Sequence, residues 1–221
     1  MPTSILTTAA IILAAGRSSR MHEGHHKLLL PLGEQSVVAH VVAVTLTSQA
    51  RPLIVVTGYR ADDIHTSLAS YTSSLTFIKN PRFREGMSTS IRAAIRALQA
   101  SSTFETIDGA LIVLGDQPLI TSQMLDALIG TKQRTGKRII TSLFNGKRMS
   151  PTLFDKSLFP ELLEITGDEG GRAVLERHRS EIAKVEHGDE SASIDVDTWE
   201  AYQQVVAEWE RTKKTSREKE S

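Results

Sequence analysis

Four segments of the chain carry residue types suited to phosphate, metal or a polar substrate. The first is Leu13-Ala14-Ala15-Gly16-Arg17-Ser18-Ser19-Arg20-Met21, which directly follows an apolar run. Small residues let a backbone come close to a ligand, and successive N–H groups can form an anion-binding concavity. Arg17 and Arg20 carry guanidinium groups that match phosphate geometry, and Lys27 further along supplies a point charge. The segment fits neither the dinucleotide fingerprint nor the P-loop pattern. A strand-to-helix turn with two solvated arginines has the same composition. The second segment is Gly115-Asp116-Gln117-Pro118. A carboxylate just beyond a buried strand can join a divalent cation to phosphate, because Mg2+ takes one or two carboxylates beside phosphate oxygens. A β-turn in which Asp caps and Pro ends the strand accounts for the same residues. The third is Ile194-Asp195-Val196-Asp197-Thr198. Its alternating Asp would set one carboxylate inward toward a metal and the other outward, or Asp197 or Thr198 would simply cap the next helix. The fourth is Asn80-Pro81-Arg82-Phe83-Arg84-Glu85-Gly86-Met87-Ser88-Thr89-Ser90, whose three hydroxyls at a helix start suit an anion, a polar substrate or ordinary capping by Ser88.

Other chemistries are excluded or disfavoured. The absence of Cys removes disulfide scaffolds and cysteine-ligated metals. Lys+Arg 26 balance Asp+Glu 26, which argues against a nucleic-acid binder relying on a basic surface. His22, His25 and His26 share a loop, but Gly24 and polar neighbours point to a mobile segment, and no further ligand lies near in sequence, so no zinc site is expected. Gly-x-Ser-x-Gly is absent, so no nucleophile elbow is expected.

The elements that must position these segments alternate along the 221 residues. Strands are expected at Ala10–Ala14, Pro52–Thr57, Leu75–Ile78, Ala110–Leu114, Arg138–Leu143 and Ile182–Glu186, with a short one at Pro151–Phe154 placed at an edge or strand start by its proline. Helices are expected at Ser36–Thr47, Asp62–Ser70, Ser88–Leu98, Thr121–Arg134, Glu161–Ile165 and Arg172–His178. A C-terminal helix has Trp199, Tyr202, Val205, Val206 and Trp209 on one face. Such alternation implies a mostly parallel sheet with helices on both faces, in which ligands bind beyond the carboxyl ends of the strands, here after Leu13 and Leu114. One domain over 1–210 and a charged, disordered tail over 211–221 are expected. Met1–Leu6 has no Lys or Arg ahead of the apolar run at Ala9–Ala15, and no apolar run approaches the ~20 residues of a membrane span, so a soluble, cytoplasmic protein is expected.

In order and spacing these segments resemble the molybdenum cofactor nucleotidyltransferases of the MobA-like NTP transferase superfamily. Leu13 to Met21 is similar to that family's triphosphate loop, Lys27-Leu28-Leu29-Leu30-Pro31-Leu32 to its lysine segment, and Gly86-Met87-Ser88-Thr89-Ser90 to its substrate-side helix start. Gly115-Asp116-Gln117-Pro118 resembles its metal turn. Leu158 to Leu163 followed by Gly167-Asp168-Glu169-Gly170-Gly171-Arg172 resembles its C-terminal signature, and Asp195-Val196-Asp197-Thr198 its closing acidic motif. The likeness spans residues 8 to 206, and Ala15 in Leu-Ala-Ala-Gly matches the cytidylyltransferase branch. The chain departs from the pattern at His22, in the longer loop to Lys27, and at Met149-Ser150-Pro151.

The resemblance implies a Rossmann-like nucleotidyltransferase fold, three-layer α/β/α with a mostly parallel sheet. It implies transfer of CMP from CTP to the terminal phosphate of molybdopterin, with pyrophosphate leaving. Leu13 and the backbone of Ala14, Ala15, Gly16, Arg17, Ser18 and Ser19 would bind the triphosphate, Arg20 and Lys27 would offset its charge, and Ser88 and Ser90 would meet the acceptor. Asp116 would be the main Mg2+ ligand, with Asp195 second and Asp197 as the fallback. Implied partners are CTP, the molybdenum cofactor and a molybdenum hydroxylase receiving the product, with neither nucleic acid nor membrane. The alternatives are a guanylyltransferase or sugar- or alditol-phosphate nucleotidyltransferase on the same fold, and a non-catalytic molybdopterin carrier.

Overall fold

β1 (Thr7–Ala14) and β6 (Ile107–Leu114) are buried along most of their length. Strands this apolar need a helical layer on each face. The computed structural model, which describes residues 6–18, 21, 25–168 and 170–219, has both layers. With β4 (Leu53–Thr57), β5 (Thr76–Lys79), β7 (Ile139–Phe144), β8 (Lys147–Asp155) and β9 (Ile182–His187), they form a sheet of order β5-β4-β1-β6-β8-β7-β9. A hairpin of β2 (Pro31–Leu32) and β3 (Gln35–Ser36) stands apart from it. Every neighbouring pair in the main sheet is parallel except the two made by β8.

Alternate side chains of a strand point to opposite faces, and the core divides accordingly. Ala10, Ile12 and Ala14 of β1, with Leu111 and Val113 of β6, pack against α1 (Val37–Thr47), α2 (Ala61–Ser67) and α4 (Ser122–Thr135). Ala9 and Ile11, with Ala110 and Ile112, pack against α3 (Met87–Ala100), α5 (Phe159–Leu162) and α6 (Arg172–Arg177). The α3 face is the expected one, Ile91, Ala94, Ile95 and Leu98. The result is the expected Rossmann-like three-layer α/β/α fold.

One expectation is corrected. β8 is not at an edge but between β6 and β7. Thr141 lies opposite Thr152 while Ser142 lies opposite Met149, so Ser150 and Pro151 bulge out of the ladder, and the pairing with β6 ends at Thr152. A proline is compatible with an interior strand at such a bulge, where no ladder N–H is required. The last helix is α7 (Trp199–Lys219), in which Arg211 pairs with Glu208 one turn earlier at 2.5 Å. Tyr202 and Val205 of α7 are buried with Leu30, Leu32 and Val37. A Cβ at Gly33, where φ is +63°, would stand 2.2 Å from the Trp209 ring, so this turn and α7 fit only with glycine there. Among the described residues, no helix is long and apolar enough to cross a membrane.

Candidate functional site

The chain leaves β1 for β4 and β5 on one side and returns to β6 on the other, so the sheet has its switch point between β1 and β6. Leu13 and Leu114 are register partners there, and the loops that follow them start level. A crevice at the carboxyl ends of diverging strands is where α/β sheets take ligands. Gly115 fits the tight juncture: its N–H donates to the Leu13 carbonyl at 3.0 Å, and a Cβ would lie 2.8 Å from that oxygen.

The cleft, about 460 Å³, is lined by Leu13, Ala15, Gly16 and Arg17 from the first loop, by Lys27, by Asp116, and by Asp195 and Asp197. Ser18 sits in the left-handed region at φ 57°, and its hydroxyl accepts the Lys27 backbone N–H at 3.1 Å. A non-glycine residue in that region costs about 1–2 kcal/mol. The latch fixes Lys27 against the loop, and the lysine side chain then reaches across the cleft. Its Nζ donates to Asp116 Oδ2 and to Asp197 Oδ1. Ser19, Arg20 and His22 lie outside the described residues.

Asp195 and Asp197 both line the cleft, which corrects the expectation of one inward and one outward carboxylate. The Asp197 N–H donates to the Asp195 carbonyl at 2.8 Å, a tight turn about Val196 that brings both carboxylates to the cleft. Val196 between them is buried with Tyr202 and Val205, and its N–H donates to the Asp116 carbonyl at 3.0 Å. Thr198 caps the helix that follows, its Oγ1 accepting the Ala201 N–H at 3.2 Å. Asp195 Oδ1 accepts from Gln117 Nε2 at 2.7 Å. Burial, and then the Asp116 charge, push its carboxyl up to about 6. The Lys27 ammonium is held above its ordinary value, the Asp116 and Asp197 carboxylates outweighing the opposing effect of burial.

Whether this set suits a divalent cation is a matter of donor chemistry. Among the described residues, no group of three or more His, Asp or Glu forms a ready-made cage. Asp116 and Asp197, however, already converge on one cation, the Lys27 ammonium. Hard carboxylate oxygens in that number fit Mg2+, which takes its remaining ligands from water and phosphate.

The serines of the fourth segment are placed differently from expectation. Ser88 does not cap α3; Gly86 does, at φ +105°, and the Met87 N–H donates to Asp168 Oδ1 at 3.1 Å. A Cβ at Gly86 would meet the Gly167 carbonyl at 2.5 Å, so the Gly167–Asp168 turn seats on the helix start only because residue 86 is glycine. Ser88 is fully buried, with no hydrogen-bond partner for its hydroxyl among the described residues. Ser90 lines the cleft, and its hydroxyl accepts from Asn80 Nδ2 at 3.0 Å. Sequence reading missed Asp168 and Arg84 as cleft residues. Asp168 was legible only as part of the Gly-rich turn, because its contact is 81 residues away.

A second cavity of about 520 Å³ adjoins the first, sharing Met87 and Leu114 with it. Its lining combines Ile91, Ile112, Met149, Phe154 and Leu175 with Lys147, Arg172 and the Arg148–Glu176 ion pair. The histidines divide. His25 lies 5.9 Å from the Trp199 ring, while His26 is buried and stacks on Tyr59 at 5.6 Å. Burial pushes His26 down to about 4, so it is neutral near pH 7.

The architecture and the placement of the cleft define a protein of the Rossmann-like α/β/α nucleotidyltransferase fold. A family model, the MobA-like NTP transferase domain, matches residues 10–182. The molybdenum cofactor cytidylyltransferase of Escherichia coli (strain K12) is 31% identical over 154 residues, 70% of this chain and 73% of that protein. The purine catabolism protein PucB of Bacillus subtilis (strain 168) is 27% identical over 203 residues, 88% of this chain and 94% of that one. Among solved structures, the homolog of Mycobacterium tuberculosis Rv0371c from Mycobacterium sp. strain JC1 is 26% identical, with a TM-score of 0.77 over 93% of this chain and 98% of that one. This chain belongs to the MobA-like NTP transferase family.

Proposed function

We propose that the protein transfers a nucleotidyl group from an NTP to a phosphate-bearing acceptor and releases pyrophosphate. The observation that carries this reading is the convergence of the Ala15–Ser18 loop, Lys27, Asp116 and the Asp195–Asp197 pair in one cleft, beside a second cavity large enough for an acceptor. The reaction joins two anions, so the protein's task is to hold them in line and offset their charge, with no covalent nucleophile of its own.

In this reading Leu13, the backbone of Ala14 to Ser19 and the Arg17 side chain bind the triphosphate. Lys27 and Arg20 balance charge on it and on the leaving pyrophosphate. Asp116 is the main Mg2+ ligand, and Asp195 or Asp197 completes the pair. Bound there, Mg2+ neutralises phosphate oxygens at the reacting phosphorus. Asp195 is buried beside Asp116, and its Oδ1 is oriented by Gln117 Nε2 at 2.7 Å. Ser90 faces the junction with the acceptor cavity, and Ser88 supports the helix beneath it.

For the acceptor, the first candidate is molybdopterin with CTP as donor, on the strength of the Leu-Ala-Ala-Gly loop and the Escherichia coli relative. A molybdenum hydroxylase would then receive the product. The second reading, a different base or a sugar- or alditol-phosphate acceptor, is favoured by the breadth of the family, since the PucB relative covers more of this chain and carries a purine-catabolism name. Pyrophosphate release measured with Mg2+, each of the four NTPs and a panel of phosphorylated acceptors separates them. Release with CTP only when molybdopterin is present supports the first; release with GTP or with a sugar phosphate moves base and acceptor. Cofactor binding without release under any combination would leave a carrier and sink the transfer reading.

A further inference from the structure

Lys27 occupies the place where a cation is needed. Its Nζ bonds two carboxylates at once, and its side chain is only 16% exposed, against 13% for Asp116 and 35% for Asp197. Unneutralised carboxylates this close would repel each other, and burial strengthens that repulsion. Two of the three ammonium N–H bonds are spent on the pair, so while it stays there the lysine cannot give its charge fully to a phosphate. Its backbone, by contrast, is pinned, since the Lys27 N–H is held by Ser18 Oγ and the neighbouring Leu28 is buried in the core. Only the four-carbon stem can move, and its Nζ lies in a cleft whose other wall is Gly16 and Arg17.

We infer that Lys27 is a built-in counter-ion, a positioning residue that holds Asp116 and Asp197 together in the ligand-free protein and is displaced from Asp116 by an incoming divalent cation. The displaced ammonium swings on its fixed backbone toward the Gly16–Arg17 side of the cleft, where the triphosphate is proposed to lie. Cation entry and the arming of the lysine are thereby one event. Nothing covalent changes: the dication replaces the ammonium as the carboxylates' partner. The displacement itself concerns the nucleotide-free protein, and only the destination of the ammonium rests on the nucleotidyl-transfer reading.

The test is Mn2+ binding to nucleotide-free protein, followed by electron paramagnetic resonance. Lys27→Met keeps the stem and removes the competing charge, so Mn2+ should bind about tenfold more tightly than to wild type, a size in keeping with one partly exposed charge contact. Adding Asp116→Asn should abolish the gain. Unchanged or weaker Mn2+ binding in Lys27→Met would overturn the inference, as would a gain that survives Asp116→Asn. Should Lys27→Met fail to fold, wild-type protein with 15N-labelled lysine gives an independent reading. The Lys27 ammonium resonance, protected by its two carboxylates, should be lost as Mg2+ is added; persistence through Mg2+ saturation overturns the displacement. Tighter Mn2+ binding in a protein that releases pyrophosphate from none of the four NTPs would keep the counter-ion role and sink the transfer reading, so the two fail separately.

Discussion

The two cavities that meet at Met87 and Leu114 are built from different materials. The first, over the parallel strands β1 and β6, is charged, with Asp116, Asp168, Asp195 and Asp197 facing Lys27, Arg17 and Arg84. The second, beside the antiparallel β8, draws much of its wall from Ile91, Ile112, Met149, Phe154 and Leu175. In the proposed reaction, charge would handle what all nucleotides share, a triphosphate and its metal. Shape and apolar contact distinguish one acceptor from another. In the proposed reaction the β1/β6 side would carry the nucleotide chemistry and the β8 side the choice of acceptor.

Substitutions on the two sides should therefore fail differently. Asp116→Asn, on the charged side, should reduce kcat by roughly 100-fold or more, a loss of about 3 kcal/mol or more in transition-state stabilisation. It should leave the melting temperature within a few degrees of wild type, and turnover near wild type would break the metal assignment. Lys27→Ala should raise the KM for the nucleotide roughly tenfold or more while leaving the acceptor KM nearly unmoved, since a charge-assisted phosphate contact is lost. An effect confined to the acceptor KM would count against its phosphate role.

His26, beneath the charged side, gives a pH test. Its folded value of about 4 lies below the ordinary 6.5, so between those limits the unfolded chain takes up a proton that the native state refuses. Its contribution is full above pH 6.5 and is lost as pH falls toward 4, by about 3 kcal/mol. Denaturant melts of wild type and His26→Leu should therefore differ in slope only across that window, and parallel curves would show that the ring is not buried neutral. Across the junction, Leu175→Ala should lower kcat/KM for the acceptor by roughly tenfold, the size of a few lost methylene contacts. The nucleotide KM should stay put, and a matching change in it would mean that the two cavities are one site.

Most of the architecture was legible in the sequence because apolar runs and helical periodicity are local signals. The runs at Ala10–Ala14 and Ala110–Leu114 fall inside β1 and β6, and the Ile91–Leu98 face of α3 packs as its spacing requires. What misled was also local. Proline at 151 reads as an edge signal when the partner strands are unknown, yet β8 is interior because the bulge relieves the ladder there. Ser88 reads as a cap because hydroxyls cap helices, whereas the α3 start is closed by Asp168, which no local pattern links to it.

The sequence by itself determined that strands and helices alternate, that phosphate-suited and metal-suited residues follow the first and the strongest strand, and that an acidic pair precedes the last helix. These are properties of neighbouring residues and of a period of two or 3.6. Only the tertiary structure decided that Asp195 and Asp197 both turn to Asp116, that Lys27 joins 116 to 197, and that a second cavity opens beside them. Lys27 lies 89 and 170 positions from its two carboxylate partners. Their geometry follows from which strands become neighbours in the sheet, and no local spacing encodes that.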